Sequence, residues 1–216
     1  MKIKIISFNI RCVDDANGYS IQERSLRLAK VMGAYGADVI GFQEYTPWWS
    51  EYIQKYFCQA YEFFNQYRDD KGWMESAPIL WKKDKFNCLK RGYFWLSDTP
   101  KQMSGGWDNE GHNRICLYVL LQDKQDGKVF SFFNTHLGFG DENQVKSVRL
   151  IQRYMQSFSK YPTLITGDFN MSPASAAYAE MVKKFSDVNE LTVRDRRSTY
   201  HGYQLKNSFN EHIDYC

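Results

Sequence analysis

Five short apolar runs in this chain each end on, or contain, a residue that carries chemistry. Ile5-Ile6-Ser7-Phe8 leads into Asn9, and Val39-Ile40-Gly41-Phe42-Gln43 leads into Glu44. Phe132-Phe133-Asn134-Thr135 leads into His136, and Leu164-Ile165-Thr166-Gly167 leads into Asp168, with Asn170 just beyond. The fifth, His212-Ile213-Asp214-Tyr215, has Asp214 inside it. Short runs of this kind read as strands, the most apolar of them buried on both faces. Taken singly, an Asn or Asp at a strand end serves a turn or a cap, and a His there is a satisfied structural group. Strands of a layered α/β fold, however, bring their carboxyl ends to one edge, where ligands bind. The five ends together therefore predict a common site.

The intervening sequence supports a layered fold. Lys2 to Phe8 reads as a strand ending at Asn9, and Ser20 with Glu23 forms a capping box for a helix reaching Gly36. Asp38 to Phe42 is a second strand, so the order strand, helix, strand points to α/β. Pro47 to Phe57 is expected to be helical. Ile79–Trp81, Phe86–Leu96, Ile115–Leu121 and Lys128–Asn134 read as strands separated by turn residues. Asp141 is expected to cap a helix running to about Phe158, and Thr163–Thr166 to form a buried strand. Ser172 is expected to cap a further helix with Pro173 at its first position. With no linker, low-complexity segment or repeat, residues 1–216 read as one α/β domain.

Composition excludes more than it assigns. At 216 residues the chain can bury a core without disulfides or a structural metal. Its 28 Lys and Arg against 25 Asp and Glu leave a net charge of +3, too mild to announce a nucleic-acid or membrane partner. The five cysteines form no Cys-x-x-Cys pair, so reduced thiols are expected rather than zinc or a disulfide framework. The apolar start is too short for a signal peptide, and no stretch reaches the length of a membrane span. A cytoplasmic monomer is the expectation.

Carboxylates with an amide oxygen are hard ligands, suited to Mg²⁺, with Mn²⁺ as the second candidate, and poorly suited to zinc. Such an ion beside an imidazole and a spare carboxylate supports attack of water on a phosphate ester. Asn170 can then donate to the transition-state oxygens without repelling them.

At these residues the chain resembles the endonuclease/exonuclease/phosphatase superfamily. The matching motifs are Ser7-Phe8-Asn9-Ile10-Arg11, Gly41-Phe42-Gln43-Glu44, Asn134-Thr135-His136-Leu137, Gly167-Asp168-Phe169-Asn170 and Ile213-Asp214-Tyr215. They stand in family order and span nearly the whole chain. The resemblance implies a four-layer α-β-β-α sandwich of two packed mixed sheets flanked by helices. It implies Glu44 as the principal metal ligand with Asn9 beside it, and His136 contacting or protonating the phosphate. Asp168 would position the nucleophilic water, Asn170 steady the transition state, and Asp214 support the metal or a catalytic His. Arg114 and His112 could hold a phosphate; a solvated loop is the competing reading for each.

Two departures accompany the resemblance. The family pattern continues to a Ser-Asp-His, whereas this sequence stops at Cys216, so the last strands and that His are expected to be missing. His212 shares only an i, i+2 relation with Asp214. A C-terminally incomplete enzyme is favoured over a catalytically impaired binding protein, because an interrupted strand leaves an open sheet edge. The basic or aromatic insertions that grip duplex DNA are also not evident. Arg194 to Arg197 reads as a solvated loop, and Trp48, Trp49, Trp73, Trp95 and Trp107 read as packing rather than base-stacking residues. The segments Ser97-Asp98-Thr99-Pro100 and Gly106-Trp107-Asp108 resemble uncharacterised bacterial metal-dependent hydrolases of the superfamily. A Mg²⁺-dependent phosphodiesterase or phosphomonoesterase is the expected activity, with a nuclease as the alternative.

Overall fold

In chain order, the computed structural model comprises β1 (Ile5–Asn9), α1 (Ile21–Tyr35), β2 (Val39–Gln43), a 3-10 turn (Pro47–Trp49), α2 (Ser50–Tyr56), β3 (Tyr61–Phe64) and β4 (Ile79–Lys82). There follow β5 (Phe86–Trp95), β6 (Ile115–Asp123), β7 (Val129–His136), α3 (Asp141–Gln156), β8 (Thr163–Asp168), α4 (Ala176–Met181), α5 (Val188–Leu191) and β9 (Asp214–Tyr215). The structure describes residues 1–107, 111–192, 198–200, 202–203 and 212–216. Among them, no helix is long and apolar enough to cross a membrane.

The strands form two mixed sheets, ordered β1-β2-β4-β3 and β5-β6-β7-β8-β9. In the first, β1 and β2 are parallel and β4 runs against β2. In the second, β7 and β8 are parallel and the remaining neighbours antiparallel. Period-two alternation explains how the sheets stack. Val39 joins Ile79, Trp81, Leu117, Val119, Phe130 and Phe132 in the core between the sheets. Ile40 and Phe42 face the other way, onto Leu28 and Met32 of α1 and Ile53 of α2. Phe133 and Cys116 face outward from the second sheet onto Val148, Ile151 and Met155 of α3. Three cores between four layers make the α-β-β-α sandwich. Each Phe or Leu buried there contributes roughly 1.5–3 kcal/mol.

Most elements follow their sequence signals. Ser20 accepts from the Glu23 amide while Glu23 reaches back to the Ser20 backbone, and Gly36 closes α1 in the left-handed conformation at φ 60°. Three details differ. Gly140, not Asp141, caps α3, which leaves Asp141 and Glu142 in its first turn where their charge meets the helix dipole. Ser175, not Ser172, caps α4; the Ser175 N–H donates to the Ser172 carbonyl, so the Pro173 segment closes as a turn. Strand β3 had no clear sequence signal, being set by antiparallel pairing with β4. All five cysteines are free thiols.

Candidate active site

The inward-facing side chains change character along each central strand. On β7, Phe130 and Phe132 are in the inter-sheet core, and the same face continues as Asn134 and His136. On β8, Leu164 is succeeded by Thr166 and Asp168; on β2, Val39 is succeeded by Gly41 and Gln43. The carboxyl ends of these strands thus form a polar mouth on an apolar core.

A buried hydrogen-bond network fixes the sheets at that mouth. The Asn134 amide donates to the carbonyls of Phe42 (2.7 Å) and Pro78 (3.1 Å) across the sandwich. Its oxygen accepts from Gln43 (2.8 Å) and Thr166 (2.9 Å). Gly41 makes room for this contact, because a Cβ there would collide with the Asn134 and Thr166 side chains.

The predicted residues Asn9, Glu44, His136, Asp168 and Asn170 meet at the mouth. Asn9 Nδ2 donates to Glu44 Oε1 (2.8 Å) and to Asp168 Oδ2 (3.0 Å), bridging the two carboxylates. Glu44 Oε2 accepts from the Cys12 backbone N–H at 2.9 Å. Burial opposes ionisation of Glu44, but the positive charge His136 carries when protonated and the donors of Asn9 and Cys12 outweigh it and hold the carboxyl below its usual range. The same burial, with the Glu44 charge, pushes the Cys12 thiol up, so it stays protonated. Arg11, Glu44 and Asn170 adopt left-handed backbone at φ 64°, 58° and 47°. Non-glycine residues rarely do so, and such conformations cluster at functional sites.

His136 is held in one tautomer. Asn170 Nδ2 donates to the Leu137 carbonyl (2.8 Å), which fixes the amide orientation, and also lies 3.0 Å from His136 Nε2. Nε2 must therefore accept, and the neutral ring carries its proton on Nδ1. Burial lowers the imidazole's pKa, aided by the Arg114 charge and opposed by Asp168, Glu44 and Glu75, so the ring is neutral at pH 7. Nδ1 is buried with no hydrogen-bond partner among the described residues. Asp168 Oδ1 accepts from the Asn170 N–H (3.1 Å), and Oδ2 lies 3.9 Å from His136 Nε2.

Asp214 joins the cluster through β9, paired in register with Asp168. Arg114, buried at the start of β6, is close enough for its charge to act on His136. His112 is exposed, and no hydrogen bond ties it to the cluster among the described residues. His212 precedes β9, and its Nε2 lies 2.9 Å from Asn189 Nδ2. Trp49 and Trp95 are buried as expected, whereas Trp48 and Trp73 are more than half exposed. Residues 194–197 and Asp108 lie outside the described residues. Sequence reasoning missed the buried pair Arg68–Glu75 (3.1 Å), whose carboxylate also acts on His136. Their segment between β3 and β4 has no periodic pattern that could have shown it.

The donor set fits a hard divalent ion. Glu44 and Asp168 share one bridging amide, so their oxygens are near neighbours. Among the described residues no three His, Cys, Asp or Glu side chains converge as ligands. Mg²⁺ accepts this arrangement, since it binds through one or two carboxylates and keeps several waters.

The fold and this mouth place the chain in a known class: it belongs to the Endonuclease/Exonuclease/phosphatase family, whose sequence profile matches residues 6–216. Family members hydrolyse phosphate esters and generally use divalent metals. Among solved structures, the chain is similar to a mannosyl-6-phosphatase of Bacteroides thetaiotaomicron, 28% identical with a TM-score of 0.91, covering 99% of this chain and 84% of that one. It is likewise similar to an endonuclease/exonuclease/phosphatase family protein of the same organism, 27% identical with a TM-score of 0.90, covering 99% and 81%. An uncharacterized protein of Acanthamoeba polyphaga mimivirus is 35% identical over 80 residues, covering 35% of this chain and 30% of that one. The chain spans less than a third of the length of the curated relatives it matches.

Proposed function

We propose that the chain is a Mg²⁺-dependent phosphoesterase, cleaving its substrate by in-line attack of an activated water. The observation that carries this reading is the bridge from Asn9 to both Glu44 and Asp168, beside a neutral His136 whose Nδ1–H has no partner among the described residues. Glu44 and Asn9 would hold the ion, which when bound polarises the phosphoryl oxygen and offsets developing negative charge. Asp168, fixed by Asn9 and the Asn170 N–H, orients the attacking water and takes its proton. His136 donates from Nδ1 to a phosphoryl oxygen, which would satisfy a buried donor worth roughly 1–3 kcal/mol if left alone. Asn170 holds the ring in that tautomer, and Arg114 adds positive charge on the phosphate side. The water oxygen bonds phosphorus, the bond from phosphorus to the leaving oxygen breaks, and a proton passes to that oxygen.

The phosphatase among the relatives favours a phosphomonoester over a diester. The test is a panel of p-nitrophenyl phosphate, bis-p-nitrophenyl phosphate, sugar phosphates, inositol phosphates, sphingomyelin and nucleic acids, with Mg²⁺, Mn²⁺ or EDTA. Turnover that needs the metal and disappears in Glu44→Ala and Asp168→Ala is expected. Unchanged turnover in either variant would refute the site.

A further inference from the structure

A cleft of about 760 Å³ opens at the same edge of the first sheet, lined by Asp14, Ser20, Gln22, Trp48, Glu51 and Tyr52 among others. It lies between the chain leaving β1 and the chain leaving β2, the strands that deliver Asn9 and Glu44. Three bonds stitch those segments together. Glu44 accepts from the Cys12 N–H (2.9 Å), Thr46 Oγ1 donates to the Cys12 carbonyl (3.2 Å), and the Trp49 indole donates to the Arg11 carbonyl (2.9 Å). Val13 and Asp14, the next residues along, already line the cleft. Its wall therefore begins one residue beyond the contact that fixes Glu44.

The lining is built for a particular chemistry. Trp49 is 1% exposed and anchors the segment, while its neighbour Trp48 is 53% exposed and offers its ring to the cleft. Asp14 is held by the Ile21 N–H at 2.6 Å, with a carboxylate oxygen to spare. Neither Asp14 nor Glu51 makes an ion pair among the described residues. Two carboxylates disfavour a polyanion such as a nucleic-acid strand, since like charges in a groove repel. Hydroxyl and amide groups of Gln22, Ser50 and Gln54 both donate and accept, while the Ser20 hydroxyl is engaged with Glu23. That mixture matches a ligand rich in hydroxyls, which donates to carboxylates and lays its C–H face on an aromatic ring.

We propose that this cleft receives the uncharged, hydroxyl-rich part of the substrate, so that the phosphoester cleaved at the neighbouring site is that of a sugar. The proposal rests on the phosphoesterase reading for its reaction, but not for its binding. The sugar lies against Trp48 between Asp14 and Glu51, with its phosphate directed toward Glu44 and His136. Hydrolysis then releases the free sugar, whose oxygen takes a proton, and inorganic phosphate.

The test compares D-glucose 6-phosphate and D-mannose 6-phosphate with p-nitrophenyl phosphate, which has no hydroxyls, on the full chain with Mg²⁺. Trp48→Ala and Glu51→Gln alter exposed side chains and are expected to melt as the parent does. Each should raise KM for the sugar phosphates about tenfold, the loss of one aromatic or charge-assisted contact, with kcat unchanged. Neither should move the kinetics of p-nitrophenyl phosphate. Binding of methyl α-D-glucoside and methyl α-D-mannoside, followed by calorimetry without turnover, should weaken in both variants. If every phosphoester is inert while a methyl glycoside binds through Trp48, the phosphoesterase reading fails and the subsite stands. Unmoved KM and glycoside binding in both variants would overturn the subsite. So would a Trp48-dependent preference for phosphocholine or for an oligonucleotide over the sugar phosphates.

Discussion

Asp214 stands directly opposite Asp168 across the β8–β9 ladder, one carboxylate facing another. Burial, and then the charge of Asp168, push the Asp214 carboxyl up to about 7, with Glu44 adding to the repulsion. The folded chain therefore keeps a proton that the unfolded chain releases near pH 4. Stability falls with rising pH wherever the folded state binds more protons, here between about pH 4 and pH 7. His136 works the other way: its lowered pKa gives stability above its ordinary pKa that is lost as pH falls through the folded value. In EDTA, Asp214→Asn should remove the decline between about pH 4 and pH 7 and leave the His136 contribution. Parallel stability curves for the two proteins would disprove the Asp214 shift.

Glu44→Gln keeps the shape of the side chain but replaces a hard anionic oxygen with a weaker ligand. Mg²⁺ affinity measured by calorimetry should fall at least about tenfold, and turnover about a hundredfold or more. Equal affinity would move the metal elsewhere.

Asn170→Ala removes the donor that makes His136 Nε2 an acceptor. Nitrogen-15 spectra of the parent at neutral pH should show the Nδ1–H tautomer, and the variant a mixture of both. Turnover should drop by about two orders of magnitude, as for loss of one preorganised donor. An unchanged tautomer in the variant would show that another group orients the ring.

Gly41→Ala drives a methyl group into Asn134 and Thr166 at the point where the sheets approach. A loss of about 1–3 kcal/mol in chemical denaturation is expected, as for overpacking a tight core. The site should suffer with it, because Gln43 and Asn134 move together. A neutral effect would mean that the inter-sheet contact yields easily.

Much of this arrangement is legible in the sequence because the strands are short and their ends distinct. Period two alone puts His136 on the face of Asn134, and Asp168 on the face of Thr166. Capping chemistry located α1 from Ser20 and Glu23. What escaped has local reasons. Strand β3 exists because β4 pairs with it, and Tyr61–Phe64 has too little alternation to stand alone. Arg68 and Glu75 meet through a loop, where tertiary packing rather than pattern decides. The competing caps at Asp141 and Ser172 were displaced by Gly140, whose φ of 87° ends the preceding turn, and by Ser175.

The Asn134 amide nitrogen spends its hydrogen bonds on backbone carbonyls, those of Phe42, Ala77 and Pro78, while the oxygen takes the Gln43 and Thr166 side chains. Substitutions that vary those three side chains therefore leave the bridge untouched, whereas a change at Asn134 itself breaks it everywhere at once. The distance between the catalytic halves is thus insulated from most sequence drift in the first sheet. Loops around the mouth can diversify toward new substrates while the reacting geometry is inherited unaltered.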